Sequence, residues 1–160
     1  MTTSRQIIDI PIRLDIDSTA PHFSRALNGL DQAAAREADS ATIPTGLREL
    51  IRLRASQING CAYCVDQHTK AADAAGESTA RIAATAVWRE SGLFTATERA
   101  AFSLTESITT VAQTHVPDEA WREAAVVLTA SELSAVIALA VTINAWNAVG
   151  AATRAWPVES

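Results

Sequence analysis

Apolar positions along this chain recur three and four residues apart, the period of a helix, and nowhere sustain the period of two that marks a strand. The segment Ile7 to Ile16 (IIDIPIRLDI) alternates briefly, but Pro11 interrupts it, so residues 1–20 read as an extended N-terminal arm. A first helix follows Pro21 and runs through Leu27 and Leu30 towards Ala38. The next extends from about Pro44, a residue suited to a first turn, to Ile58, with Asn59-Gly60 as its stop signal. A third begins at Cys61 and ends at Gly76; a fourth takes Ser78 as its N-cap and reaches Glu90 before Ser91-Gly92. Further helices are expected from Thr97, from Pro117-Asp118, and from Thr129 or Ser131. The pattern predicts an all-α chain of about seven helices with short connections, a single domain over residues 1–160.

The last helix departs from the amphipathic norm. Leu133, Val136, Ile137, Leu139, Val141, Ile143 and Trp146 leave it no polar stripe. Leu133 to Thr153 carries no charge over roughly a bilayer-spanning length, so a membrane helix has to be weighed. Asn144 and Asn147 lie within it and alanine dominates, which makes its transfer energy poor. It therefore reads as a central helix, or as one shared with another subunit of a homo-oligomer.

Composition narrows the function classes. With 48% hydrophobic and 19% charged residues the chain has the balance of a folded globule. A formal charge of -5 disfavours non-specific binding to nucleic acid or to an anionic membrane. The start, Met1-Thr2-Thr3-Ser4-Arg5-Gln6, is polar and leads into no apolar export core, so a cytoplasmic location is expected. Two cysteines, three residues apart, are the whole thiol inventory. In that compartment such a pair points to redox or metal chemistry rather than to a structural staple.

At about 100° per residue, Cys61, Cys64 and His68 fall on one helix face together with Ala71, Ala72 and Ala75, bordered by Val65. Asp66 and Lys70 lie opposite, at salt-bridge spacing. The thiols and the imidazole should therefore face inward. A thiolate is the reactive form of cysteine, and a helix start favours negative charge at Cys61. His68, four residues beyond Cys64, is placed to take its proton, and Glu49 on the preceding helix is the candidate carboxylate to orient His68. Such a dithiol can attack a peroxide oxygen and close to a disulfide through a sulfenic acid, or exchange disulfides. A structural zinc site is disfavoured, because closed zinc sites want four strong ligands. An inert buried pair is the other bland reading.

Other polar and aromatic residues attract weaker readings. His22 and His115 are expected in connections. Tyr63 projects away from the cysteine face, which suits packing or an interface. Arg54 falls in the apolar stripe of Leu47, Leu50, Ile51 and Ile58 and needs a carboxylate partner such as Glu106. Trp88, Trp121, Trp146 and Trp156 read as core or interface anchors.

The spacing Glu49-x11-Cys61-x2-Cys64-x3-His68 resembles the signature of the alkyl hydroperoxidase D family, within the carboxymuconolactone decarboxylase-like superfamily. Its specific part lies in Leu47 to Ser78. Trp88-Arg89-Glu90, Phe94 to Arg99 and Ile143 to Asn147 are similar to the peroxidase-related branch, so most of the chain is covered. The resemblance implies an all-α fold, trimers or hexamers, and hydroperoxide reduction by the cysteine pair without metal or flavin cofactor. By matching position Cys64 would be the peroxidatic thiol, Cys61 the resolving one, and Glu49 and His68 the proton relay. The family archetype has a histidine immediately before the second cysteine, where this chain has Tyr63. The implied partners are a hydroperoxide and a dithiol or protein reductant; the archetype's lipoyl-bearing reductant is not carried over. Three other functions compete: a disulfide reductase or redox sensor using the same dithiol, a carboxymuconolactone decarboxylase-like enzyme, and a zinc-stabilised interaction module. Decarboxylases of that group generally lack the cysteine pair.

Overall fold

The computed structural model describes residues 8–158, and among these residues all regular structure is helical, with no strand. In chain order the helices are α1 (Ile16–Thr19), α2 (Pro21–Ser40), α3 (Thr45–Asn59), α4 (Ala62–Ala74) and α5 (Thr79–Ala84), a 3-10 stretch at Thr85–Glu90, then α6 (Ala96–Thr109), α7 (Val111–Thr114), α8 (Asp118–Val127) and α9 (Ala130–Thr153). Six α-helices have ten or more residues, and the continuous helical stretch Thr79–Glu90 makes a seventh.

Local chemistry sets the boundaries. Pro44 precedes α3, and Gly60 ends it in the left-handed region at φ 67°, donating its N–H to the Ser56 carbonyl. A side chain at that φ would be strained, so the glycine of the stop signal is needed for its backbone. Thr95 with Glu98, and Thr129 with Glu132, form reciprocal capping boxes that start α6 and α9. Ser78 caps α5 by accepting the Arg81 N–H.

Several sequence expectations are corrected. The arm is not extended throughout: Asp15 caps one helical turn, α1, inside it, and residues 1–7 lie outside the described residues. His22 sits in the first turn of α2 beside Arg25 rather than in a connection. The fourth helix is not uniform, because Val87 leaves helical geometry and the segment tightens from α to 3-10. α7 is an additional single turn, ended at His115 in the left-handed region.

α9 packs against α2, α3 and α6, and so occupies the centre of the bundle. Leu133, Val136, Leu139 and Ile143 are buried among them, which explains the lack of a polar stripe. By length and composition this helix could cross a membrane; here it serves as a core helix, with Val141 left half exposed. Its last turn is completed by the arm. The N–H groups of Arg13 and Leu14 donate to the Thr153 carbonyl, and the Arg13 guanidinium reaches the carbonyls of Ala151 and Ala152. These are the orphan acceptors that any helix C-terminus must satisfy.

Arg54 meets the partner its position demanded. Its Nε donates to Glu106 Oε1 at 2.6 Å; the same carboxylate accepts the Trp88 indole N–H at 2.8 Å and pairs with Arg89. Glu106 thereby ties α3, the 3-10 stretch and α6 together. Glu106→Gln leaves Arg54 partly buried without a full counter-charge. The expected loss is roughly 2–4 kcal/mol, below the ~3–5 of a fully buried pair because both side chains keep some solvent contact. Urea unfolding of both proteins at neutral pH measures it, and a loss under about 0.5 kcal/mol would remove Glu106 from this role.

Candidate active site

Gly60 reverses the chain so sharply that a single residue, the N-cap Cys61, separates it from α4. The Cys61 sulfur accepts the Cys64 N–H at 3.3 Å, and the two sulfurs are bonded as a disulfide with Cα atoms 5.3 Å apart. The cysteine pair therefore sits at the positive end of a helix, where any thiolate released on reduction is favoured. Cys61 and Cys64 are 2% and 4% exposed, so even the cysteine at the helix start is closed off from solvent. The cause is α9, whose Gly150 presses bare backbone against the Cys61 sulfur.

A polar network holds this turn to α9. Asn147, fully buried, donates to Ser56 Oγ at 3.0 Å, and Ser56 Oγ donates to the Arg52 carbonyl at 2.7 Å. Asn59 donates to the side-chain oxygens of both Asn147 and Asn144, and Asn144 donates to Thr109. These asparagines made α9 look unfit for a membrane, and here they fix the turn that carries the cysteines. Sequence reasoning missed Ser56 and Asn59 as positioning residues. The available signal was two asparagines at i, i+3 on an otherwise apolar helix.

Glu49 and His68 meet as expected. His68 Nδ1 lies 2.8 Å from Glu49 Oε2, and Glu49 Oε1 accepts from Arg52 at 2.7 Å. Burial alone would push the Glu49 carboxyl up; the His68 hydrogen bond and the Arg52 guanidinium outweigh it and hold the group below the usual carboxylate range. An ionised carboxylate only accepts, so His68 Nδ1 carries the hydrogen and Nε2 is the ring nitrogen left for chemistry. Arg52, a further positioning residue that sequence reasoning missed, also reaches Asp31 at 3.3 Å.

His68 and Cys64 line one cavity of about 380 Å³ with Asp17, Asp31, Ile143, Trp146 and Trp156. Tyr63 lines it too, so its expected direction away from the cysteines is corrected: it leans on Trp156, ring centroids 5.5 Å apart. Trp156 also packs against Trp146 at 5.4 Å and donates its indole N–H to Asp17 at 2.8 Å, which turns two expected anchors into a cavity wall. Of the inward alanines, Ala72 is buried, while Ala75 faces solvent at the end of α4. Lys70 pairs with Asp66 on the outer face as the spacing requires. His115 lies away from this site, at the end of α7. Among the described residues no three His, Cys, Asp or Glu side chains gather as a metal-binding group.

The model of the carboxymuconolactone decarboxylase family matches residues 21–107. The uncharacterized protein YdfG of Bacillus subtilis (strain 168) is 36% identical over 105 residues, covering 66% of this chain and 71% of YdfG. A crystal structure of a protein of unknown function from Agrobacterium tumefaciens, provisionally called the antioxidant defence protein AhpD, is 32% identical. It superposes with a TM-score of 0.85 over 93% of this chain and all of that one. The debrominase Bmp8 shares the fold at 22% identity, with a TM-score of 0.76 over 89% of this chain and 74% of its own.

The clamp on Glu49 has a thermodynamic signature. A carboxyl held below its usual range in the folded chain takes up protons first in the unfolded state. The stability it contributes is therefore complete above about 4.5 and is lost as pH falls through the depressed native value. Glu49→Gln should cost roughly 2 kcal/mol at neutral pH, a typical value for hydrogen bonds to charged groups. Its deficit against the parent should shrink on acidification. Urea unfolding of the two oxidised proteins from pH 7 into the acid range checks this; a deficit that is constant with pH would refute the ionised clamp.

Proposed function

The chain belongs to the carboxymuconolactone decarboxylase family, and on that footing we propose that it is a thiol peroxidase reducing organic hydroperoxides through Cys61 and Cys64. The family and the likeness to the Agrobacterium protein support, more coarsely, an enzyme of peroxidase-related or decarboxylase-like type. One observation carries the finer reading. Cys64, half of a redox pair, opens into the same cavity as His68, whose other nitrogen is held by a buried, ionised Glu49.

In the reduced protein His68 takes the Cys64 proton, with Glu49 stabilising the imidazolium. The Cys64 thiolate attacks the terminal oxygen of the hydroperoxide. The O–O bond breaks, the alkoxide leaves as an alcohol with the proton from His68, and Cys64 becomes a sulfenic acid. The Cys61 sulfur then attacks Cys64, the S–OH bond breaks, and water leaves as the disulfide forms. Two electrons have passed from the two thiols to the peroxide, and an external dithiol must return them. The aromatic wall of Trp146, Trp156 and Tyr63 suits an organic rather than an inorganic peroxide.

The cysteine pair is also why this reading is preferred over lactone decarboxylation, which makes no use of two thiols. A disulfide reductase or redox sensor would use the same dithiol, and peroxide turnover separates it from the peroxidase. We carry the cytoplasmic location and a trimeric or hexameric assembly into this proposal; the half-exposed Val141 on α9 supports a subunit contact. Sedimentation at micromolar concentration should give an oligomer, and a monomer would remove the assembly.

The test uses single thiols. Cys64→Ser should abolish turnover of cumene hydroperoxide with a dithiol reductant and leave no trappable sulfenic acid at low peroxide. Cys61→Ser should trap the sulfenic acid on Cys64. Glu49→Gln should lower turnover about 10²-fold, the contribution of a positioned acid–base group. Sulfenic acid found only on Cys61, in the Cys64→Ser protein, would reverse the two roles. Absence of turnover in the parent would leave the reductase reading.

A further inference from the structure

Cys61 borders a second cavity, of about 470 Å³, that does not include Cys64 or His68. It lies between the N-terminal arm (Ile8, Asp9, Ile10) and the C-terminal tail (Arg154 to Val158), and is floored by Gly60 and Gly150. Tyr63 and Trp156 line both this cavity and the one holding Cys64, so their tilted ring pair forms the partition between the two. We infer that the disulfide has two mouths: the hydroperoxide meets Cys64 from the acidic, aromatic cavity, and a small uncharged dithiol reductant meets Cys61 from the second. This rests on the peroxidase reading for its first half only.

Gly150 makes the second mouth usable. A Cβ at this position would lie 2.8 Å from the Cys61 sulfur, and 3.7 Å from both the Cys64 sulfur and the Trp156 ring. Any other residue there would crowd the sulfur that the reductant must reach. The lining selects the occupant. Ile8, Ile10, Pro157 and Val158 are apolar, and the one carboxylate, Asp9, is balanced by the one cation, Arg154. A slender aliphatic dithiol therefore enters without leaving a charge unpaired. The other mouth, with Asp17 and Asp31, repels an incoming thiolate.

The chemistry balances. One thiolate of the reductant attacks Cys61 Sγ, forming a mixed disulfide; the S–S bond breaks and its electron pair leaves on Cys64, which takes up a proton. The second thiol of the reductant then attacks its own sulfur in that mixed disulfide, closes a cyclic disulfide and releases Cys61 as a thiol. The reductant loses two electrons and two protons, and the protein gains both.

Two variants outside the machinery separate the mouths. Ala151, exposed on α9, lines only the second cavity, and Asn28, exposed on α2, lines only the first. The two half-reactions are measured separately: reduction of the purified disulfide form by dithiothreitol, and oxidation of the pre-reduced form by cumene hydroperoxide. Ala151→Trp should slow reduction at least about tenfold, since exchange rate follows access to the attacked sulfur, and leave oxidation within about twofold. Asn28→Trp should do the reverse. Ala62→Phe narrows the second cavity from the α4 side and should reproduce the split if the tryptophan variant fails to fold. Reduction slowed by Asn28→Trp and untouched by Ala151→Trp, or both half-reactions slowed alike by either, would overturn the two-mouth arrangement. A reduced parent that consumes no peroxide would instead sink the peroxidase reading, while the dithiothreitol arm still reports on the second mouth.

Discussion

Everything at the site depends on the reversal between α3 and α4. Gly60 alone adopts the left-handed conformation there, and it lets Gly60 and Cys61 both turn their N–H groups back to the Ser56 carbonyl. A turn this short puts Cys61 at the head of α4 and lays α4 back along α3. That in turn brings His68, on the second turn of α4, against Glu49, on the second turn of α3. The site is therefore a property of one helical hairpin. α9 acts as a brace, through Asn147 to Ser56 and through Gly150 against the Cys61 sulfur.

A chain of paired polar groups runs from α2 into that hairpin. Asp31 faces Arg52, Arg52 faces Glu49, and Glu49 faces His68. A lone glutamate this buried would favour its neutral form. The arginine reverses that, and an ionised Glu49 fixes which nitrogen of His68 carries the hydrogen. Asp31 reaches the cavity rim, so the same chain that orients the imidazole also sets the negative sign of the entrance.

Much of this was legible in the sequence because it is local. Helical period, Pro44, Asn59-Gly60 and Ser78 mark boundaries through short-range backbone chemistry, and Glu49, Cys61, Cys64 and His68 are joined by a single turn. The Arg54–Glu106 pair spans 52 residues and was still foreseeable, since a charge in an apolar stripe demands a partner. What escaped was set by elements distant in sequence. Nothing near Trp156 says that it closes against Asp17, 139 residues earlier, and nothing near Tyr63 says that this tail will pull it over the cavity. Equally, the wheel turned Cys61 inward but could not say what covers it, because the cover is α9 and a helix wheel of α4 contains no information about α9.

The two cysteines of this one motif differ through their surroundings. Exposure does not separate them, since both are almost wholly buried, and the helix terminus does not either, since both sulfurs lie at the same N-terminus. The difference lies in what adjoins each sulfur. Cys64 shares its cavity with His68, whose Nδ1 is held by an ionised carboxylate. Cys61 borders a cavity of mostly apolar side chains and glycine backbone, whose one carboxylate, Asp9, is matched by the one cation, Arg154, and which no histidine lines. A three-residue spacing along a helix places the sulfurs close enough to bond. Packing from distant parts of the chain, the arm and the end of α9 at Cys61, α2 and the middle of α9 at Cys64, is what gives the two sulfurs different surroundings.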